Sequence, residues 1–237
     1  MAQIKASEII SQLKGMGDPE RARINQYYFK TGKGEYAEGD RFLGIRAPEM
    51  RQVAKACFSI NEEQLRKLIQ HPLHEIRFVA TQVLVLQYKK GDEPQRKRVY
   101  DFYLENLDYV NNWDLVDCST PHVIGLHMLT HNRRPLYKWV KSKNLWYRRI
   151  AIMATQAFIR EQEFSDTFDL AEILLEDEQD LIHKAVGWML REVGKRDRKA
   201  MESFLKTRYQ TMPRTMLRYA IEKLPETRRQ AYLKGRV

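Results

Sequence analysis

Four segments of this chain repeat one another at a nearly constant step, and that period restricts the fold more than any single residue does. HEIRFVATQVL, NNWDLVDCSTP, WYRRIAIMATQ and LIHKAVGWMLREVG bring Arg77, Trp113, Arg149 and Lys184 to matching positions, 36, 36 and 35 residues apart. A weaker fifth segment, PRTMLRYAIEKL, follows with Arg214 another 30 residues on. A step of this length is one helical hairpin. Stacked hairpins bury their apolar faces on their neighbours, and equivalent positions then line one surface. The expected fold is all-α, a helical-repeat solenoid (α-α superhelix) whose concave basic face receives Arg77, Trp113, Arg149 and Lys184. Composition alone could make Arg and Trp recur in a basic helical chain. The small residues that follow one turn later, Ala80, Ala151 with Ala154, and Ala185 with Gly187, argue against that.

Local patterning agrees with helices. Glu62 to Leu68, Ile76 to Tyr88 and Leu181 to Val193 carry apolar residues at i, i+3, i+4 and i+7, and period-2 runs bounded by turn residues are missing. About twelve to fourteen helices and no sheet are expected. Asn61 with Gln64 has the pattern of a capping box, and Pro48 and Pro72 suit first-turn positions. Thr31 to Gly44 is the one long glycine-rich gap. A length of 237 residues allows one continuous structure or two small domains; the unbroken repeat favours a single domain over 1–237.

Lys and Arg number 41 against 31 Asp and Glu, a net charge of +10. Such an excess favours a polyanionic partner through counterion release; DNA fits, and so would RNA or anionic lipid. No stretch approaches the roughly 18 apolar residues of a membrane span. Cys57 and Cys118 are too few for a disulfide framework, and MAQIKASEII lacks the apolar core of a signal peptide. The expected address is the cytoplasm, at the nucleoid when acting on DNA.

Several chemistries are disfavoured. His71, His74, His122, His127, His131 and His183 form no HExxH and are better read as structural or surface residues, so no metal is expected. The chain has no GxxxxGK[ST], and the Thr31 to Gly44 gap lacks a preceding strand, which disfavours a phosphate-cradling loop and a nucleotide cofactor. Cys118 and Ser119 are not in a nucleophile elbow. No helix-turn-helix signature is evident either.

Two constellations remain. Lys184, Trp188, Arg191 and Lys195 share one helical face, where cations can meet phosphates while the indole lies against sugar or base. Trp188 could equally anchor the core, with the cations as a solvated face. Trp113 and Asp117 also share a face, one turn apart. Asp114 is first discounted as a macrodipole partner in the first turn of its helix. A carboxylate on a DNA-facing surface repels phosphate, so Asp117 needs a reason beyond binding; the alternative is a buried partner for Arg148 or Arg149. One chemistry needs a carboxylate, two indoles and an arginine without a metal. When a base already carries positive charge from alkylation at N3 or N7, it leaves neutral without a general acid. Charge then builds on the deoxyribose, where Asp117 can stabilise it and orient water. Trp113 and Trp188 can hold the cationic nucleotide by their ring quadrupoles.

FLGIRAPEMRQVAK, NNWDLVD, LWYRRIAIMATQ and HKAVGWMLREVGKRD resemble, in order and spacing, the AlkD family of bacterial DNA alkylation-repair glycosylases, built from HEAT-like repeats. The resemblance runs nearly end to end. It implies that Asp117 is the catalytic carboxylate, that Trp113 and Trp188 contact the lesion nucleotide, and that Arg149 stands beside them. A pocket tyrosine is also implied; Tyr27 and Tyr28 both offer themselves, and YFK favours Tyr28. Arg46, Arg77, Arg148, Lys184, Arg191, Lys195 and Arg214 are the expected contacts to the DNA backbone. The implied activity is monofunctional excision of 3-methyladenine, 7-methylguanine and similar cationic alkylpurines from double-stranded DNA, without a catalytic lysine and without fully burying a flipped base. Asn112 stands where the family frequently has an aromatic residue, and the Thr31 to Gly44 loop is a second departure.

A non-catalytic binder of damaged or branched DNA on the same scaffold is the first alternative, with Asp117 as an ion-pair partner only. A peptide-binding scaffold is the second. A monomer is expected, because such a stack can end in polar caps.

Overall fold

Apolar residues at helical spacing, bounded by capping side chains, become helices along the described part of the chain, residues 4–237 of a computed structural model. The opening residues of MAQIKASEII, 1–3, lie outside it. The described residues hold fifteen α-helices, three 3-10 turns and no strand; the extended pairing among them is an isolated bridge between Arg41 and Leu73. The surplus over the expected number comes from very short helices. Contacts divide the chain into two compact units, Met1–Val123 and Ile124–Val237.

The first unit contains α1 (Ala6–Gly15), α2 (Pro19–Tyr28), α3 (Ala47–Ala56), α4 (Glu62–Ile69), α5 (His74–Lys90), α6 (Glu93–Glu105) and α7 (Trp113–Ser119). Its core is α5. That helix is buried on every side from His74 to Val85, and α3, α4, α6 and α7 all pack on it. Ile76, Phe78, Val79, Val83 and Leu84 are at most 2% exposed there, each such side chain contributing about 1.5–3 kcal/mol, and the polar His74, Glu75, Arg77, Thr81 and Gln82 are buried among them. By contrast α2 buries no residue. It is secured at its start by Asp18, whose carboxylate accepts from the Arg21 amide at 3.0 Å, with Pro19 in the first turn.

The cap at Asn61 forms only in half. Its side chain accepts from the Gln64 backbone amide at 3.0 Å, but the Gln64 side-chain Oε1 accepts from the Ala6 amide at 3.0 Å and ties α1 to α4 instead of closing the box. Pro48 lies in the first turn of α3, as expected. Pro72 does not enter α5, because Leu73 is the residue that caps it.

The second unit contains α8 (Ile124–Met128), α9 (Arg134–Trp139), α10 (Leu145–Arg160), α11 (Ser165–Ile173), α12 (Asp180–Gly194), α13 (Arg198–Lys206), α14 (Arg214–Ala220) and α15 (Glu226–Leu233). Here α12 is central, packed by α10 and α14 with α13 beside it. The sequence period has a direct structural meaning: successive repeats lay α5 against α7, α10 against α12, and α12 against α14. The small residues noted above do the close packing. Ala80, Ala151, Ala154 and Ala185 are fully buried. A Cβ on Gly187 would lie 2.5 Å from both the Met216 carbonyl oxygen and the Tyr219 Cβ, so glycine lets α14 approach α12 this closely. No helix among the described residues is long and apolar enough to cross a membrane.

Candidate active site

The short helix α7 carries the candidate site of the first unit. Asn112 caps it, its side-chain oxygen accepting from the Trp113 amide at 2.8 Å. Trp113 and Asp117 are half-buried, one turn apart on the same helical face. The Trp113 ring lies nearly parallel to Phe29, with centroids 5.1 Å apart, and meets Tyr28 edge-on at 6.1 Å. It also borders Tyr36, whose hydroxyl pKa burial pushes up against the opposing influence of Trp113. Tyr28 is 63% exposed, whereas Tyr27 is 82% exposed and lies under Lys30. Of the two tyrosines, Tyr28 is thus the one whose ring meets Trp113.

A cleft of about 440 Å³ opens beside Trp113. Phe29, Phe42, Phe78 and Met50 form its apolar wall, and Arg21, Arg46 and Arg51 contribute charge. Arg46 and Arg51 are exposed, with the Arg46 amide donating to Glu49 at 3.0 Å. Aromatic walls with arginines nearby suit a planar base and its phosphate. Cys118 also lines this cleft, but burial, together with the carboxylates of Asp114 and Asp117, pushes its thiol up to about 11. It stays a thiol at neutral pH and is a poor nucleophile.

Behind the cleft runs a buried polar network that the sequence reading did not foresee. His74 lies between Asp40, at 3.1 Å from Nδ1, and Asp114, at 2.8 Å from Nε2. Burial works against a charged ring, yet the Asp114 and Asp40 carboxylates hold His74 up at about 9. Burial likewise opposes ionisation of Asp40, but His74 and Arg77 keep its carboxyl down at about 2. Arg77 donates to both Asp40 oxygens, at 2.9 and 3.0 Å, and to the His71 carbonyl at 3.1 Å. Expecting Arg77 to contact the DNA backbone is therefore corrected: it is 4% exposed and serves as an internal ion-pair partner. The reading of Asp114 as a helix-dipole residue is incomplete in the same way. It accepts from the Leu115 amide at 2.9 Å and also closes the contact to His74.

The glycine-rich 31–44 loop is held by this network. Glu75, 1% exposed, accepts from the amides of Leu43 at 2.8 Å and Gly44 at 2.7 Å. Gly44 has φ +84°, and a Cβ there would lie 2.2 Å from the Asp18 carbonyl oxygen, so the position accepts no side chain. The signal that could have located the network was local. The His-Glu pair heads α5, Asn112 precedes Trp113, and Asp40 lies within the loop.

In the second unit, Arg149 is 4% exposed on α10 and donates to the Leu181 carbonyl at the start of α12. Arg148 is bound up with its surroundings: it donates to Asp177 at 2.6 and 3.3 Å, and to the carbonyls of Ser142 and Lys143 at 2.9 and 3.0 Å. It ties α10 to the loops that precede α10 and α12 and is not a free surface cation. The α12 stripe is real but less bare than its sequence suggests. Lys184 pairs with Asp180 at 2.7 Å, Arg191 pairs with Glu222, and Lys195 pairs with Glu192 at 2.6 Å. The Asp180 hydrogen bond, working against burial, raises the Lys184 pKa further. Trp188 is half-buried, and its indole N–H donates to Glu192 at 3.2 Å. Arg214 is exposed at the start of α14, where it donates to the Leu233 carbonyl at 3.3 Å.

The described residues contain no cluster of three or more His, Cys, Asp or Glu side chains disposed to hold a metal ion. A family model described as DNA alkylation repair enzyme matches residues 9–224. Two solved structures are similar in fold. One, described as a predicted DNA alkylation repair enzyme from Enterococcus faecalis, is 20% identical with a TM-score of 0.68, covering 89% of this chain and 98% of its own. The other is smu.31 from Streptococcus mutans UA159, 15% identical with a TM-score of 0.50, covering 91% of this chain and 95% of its own. None of the curated proteins matches the chain.

Proposed function

This chain belongs to the DNA alkylation repair enzyme family, and on that footing we propose that it is a monofunctional DNA glycosylase that excises N3- and N7-alkylated purines. The family makes DNA its substrate. The observation that carries the finer reading is the pairing of an indole and a carboxylate on α7, Trp113 and Asp117, with Tyr28 against the indole. A base alkylated at N3 or N7 carries positive charge, so breaking its N-glycosidic bond returns the bonding pair to the base and neutralises it. The positive charge passes to the deoxyribose as an oxocarbenium ion. Asp117 stabilises that ion and orients the water whose oxygen bonds to C1′ while its proton is lost, leaving an abasic site. No general acid is needed.

Trp113 offers the cationic nucleotide the negative face of its ring. From the second unit the same reading assigns Trp188 to the nucleotide, and Lys184, Arg191, Lys195 and Arg214 to phosphates; the expected nucleotide contact of Arg149 is corrected, because it is as buried as Arg77 and bonded to the Leu181 carbonyl. Arg46 in the first unit takes the same backbone role. The family match runs through both units, which supports reading them as one repair domain.

The test is release of methylated bases from methylated duplex DNA by the wild type and by Asp117→Asn, with heat or alkali cutting any abasic sites. Removal of one transition-state-stabilising group costs about 10²–10³-fold in rate, so the variant should release base at least that much more slowly while its DNA affinity holds or rises. Retained release by Asp117→Asn would remove the carboxylate from the mechanism. No release by either protein, with DNA binding intact, would make the chain a binder of damaged or branched DNA.

A further inference from the structure

Both ring nitrogens of His74 face carboxylates, Asp40 on one side and Asp114 on the other, and only 2% of the side chain is exposed. An ionised carboxylate can only accept, so both contacts are hydrogen bonds only when both nitrogens carry hydrogen. The ring is then an imidazolium. Its charge also balances the site. Arg77 and His74 supply two cations, Asp40 and Asp114 two anions, and a neutral ring would leave a buried excess of negative charge. Those are the groups facing His74 from the loop, from α7 and from its own helix. Glu75 is directed to the amides of Leu43, Gly44 and Ile45, while Tyr36 and Cys118 lie near Asp114.

This network takes hold of α7 twice. Asp114 in its first turn bonds His74, and its cap Asn112 donates to Asp40 at 3.2 Å while accepting from the Trp113 amide. A helix of seven residues has little stability of its own, so its direction depends on such anchors. A ring stack makes a third connection. His74 packs on Phe42 at 4.5 Å, Phe42 on Phe29 at 4.7 Å, and Phe29 on Trp113 at 5.1 Å.

We propose that His74 is a positioning residue for the site on α7: an imidazolium at neutral pH that fixes the first turn of that helix, and with it Trp113 and Asp117, against the folded 31–44 loop. The inference rests on the glycosylase reading for its rate measurement and stands apart from it in the other two. The upward displacement of the His74 pKa agrees with a ring that stays charged at neutral pH.

The experiment uses the full chain as wild type, His74→Gln, Asp114→Asn and the double variant. Nitrogen-15 labelling of histidine reports the protonation of the ring directly. Both His74 nitrogens should carry hydrogen at about pH 7.5, where an unperturbed ring is mostly neutral, and a neutral ring overturns the proposal.

In single-turnover base release, displacement of the reacting groups by His74→Gln should cost about 10- to 100-fold, with DNA affinity within about threefold of wild type. Asp114→Asn added to His74→Gln should cost no more than about twofold further, because the two act through one contact. An unchanged rate in folded His74→Gln, or fully additive losses, overturns the positioning role.

Should the wild type release no base, the glycosylase reading fails and a third measurement decides the matter. In a chain whose Trp139, Trp146 and Trp188 are replaced by Phe, His74→Gln should raise iodide quenching of Trp113 about twofold as the ring stack loosens. Unchanged quenching overturns the proposal. If His74→Gln does not fold, Asp114→Asn alone carries the same rate and quenching expectations.

Discussion

The surroundings of α5 and of α12 treat charge in opposite ways. Around α5 the first unit buries it: the side chains of His74, Arg77 and Asp40 are each less than a tenth exposed, and Asp40 is bonded to both of the others at 2.9–3.1 Å. Along α12 the second unit leaves it at the surface, with Lys184 and Lys195 paired to acids and 40% and 43% exposed. Breaking a buried pair strands a charge, while an exposed pair contributes only about 0–1 kcal/mol and can be exchanged for another partner. Buried charge is therefore suited to orientation. Surface charge is suited to capture, because a phosphate can replace a carboxylate at little cost.

The largest expected effect follows from that contrast. Asp40→Ala removes the acceptor shared by His74, Arg77 and Asn112 and should destabilise the chain by about 3–5 kcal/mol in urea unfolding. Asp180→Ala, which frees Lys184 at the surface, should change stability by less than about 1 kcal/mol. Equal losses would break the comparison. Acidity sharpens it. His74 is held up at about 9, above its unfolded value, so its contribution is complete below about pH 6.5 and is lost as pH rises through 9. Asp40 is held down at about 2, so its contribution is complete above about pH 3.9 and is lost as pH falls toward 2. Wild-type unfolding midpoints should decline on both sides of that window. In His74→Gln the alkaline decline should flatten; an identical alkaline limb would detach it from His74.

How much of this could be read in advance differs by unit for the same physical reason. The step of about 36 residues was legible because each hairpin must bury an equivalent stripe, and α5 on α7 and α10 on α12 are that step in space. The cation stripe of α12 was legible because residues on one helix keep their spacing. Pairing across elements was not. Asp40 and His74 are separated by 34 residues and meet through a loop whose path depends on Gly44 and on the Glu75 carboxylate, neither of which has a periodic signature. Arg77, Arg149 and Lys184 share a repeat position, yet their partners differ: the neighbouring loop supplies Asp40 to the buried Arg77, the Leu181 carbonyl binds the buried Arg149, and Asp180 on its own helix pairs the half-exposed Lys184. The period identifies equivalent places without specifying their surroundings.

Salt dependence of DNA binding separates the two treatments next. If Lys184 and Lys195 meet phosphates, Lys184→Ala and Lys195→Ala should each flatten the plot of log Kd against log salt by about one unit, across sequences. Arg77→Gln should leave that slope unchanged while lowering the unfolding midpoint, because its guanidinium is directed to Asp40 and the His71 carbonyl. A slope change in Arg77→Gln, measured where the variant is folded, would return that residue to the DNA-facing set.

The smallest effect tests whether the surface pairs are exchangeable. Glu192 accepts from the Trp188 indole at 3.2 Å, from Lys195 at 2.6 Å and from Arg196 at 3.4 Å. Partial burial disfavours its charge, but the bonds from Lys195 and Trp188 prevail and lower its pKa. Glu192→Gln keeps an acceptor for the indole and removes the negative charge, leaving two cations for phosphate. DNA binding should tighten by a few-fold, with the salt slope rising by up to about one unit, and stability should move by less than about 1 kcal/mol. Weaker binding would instead mean that the carboxylate's hold on Trp188 and Lys195 is part of the binding surface, and the α12 stripe would then be a fixed arrangement like the one around His74.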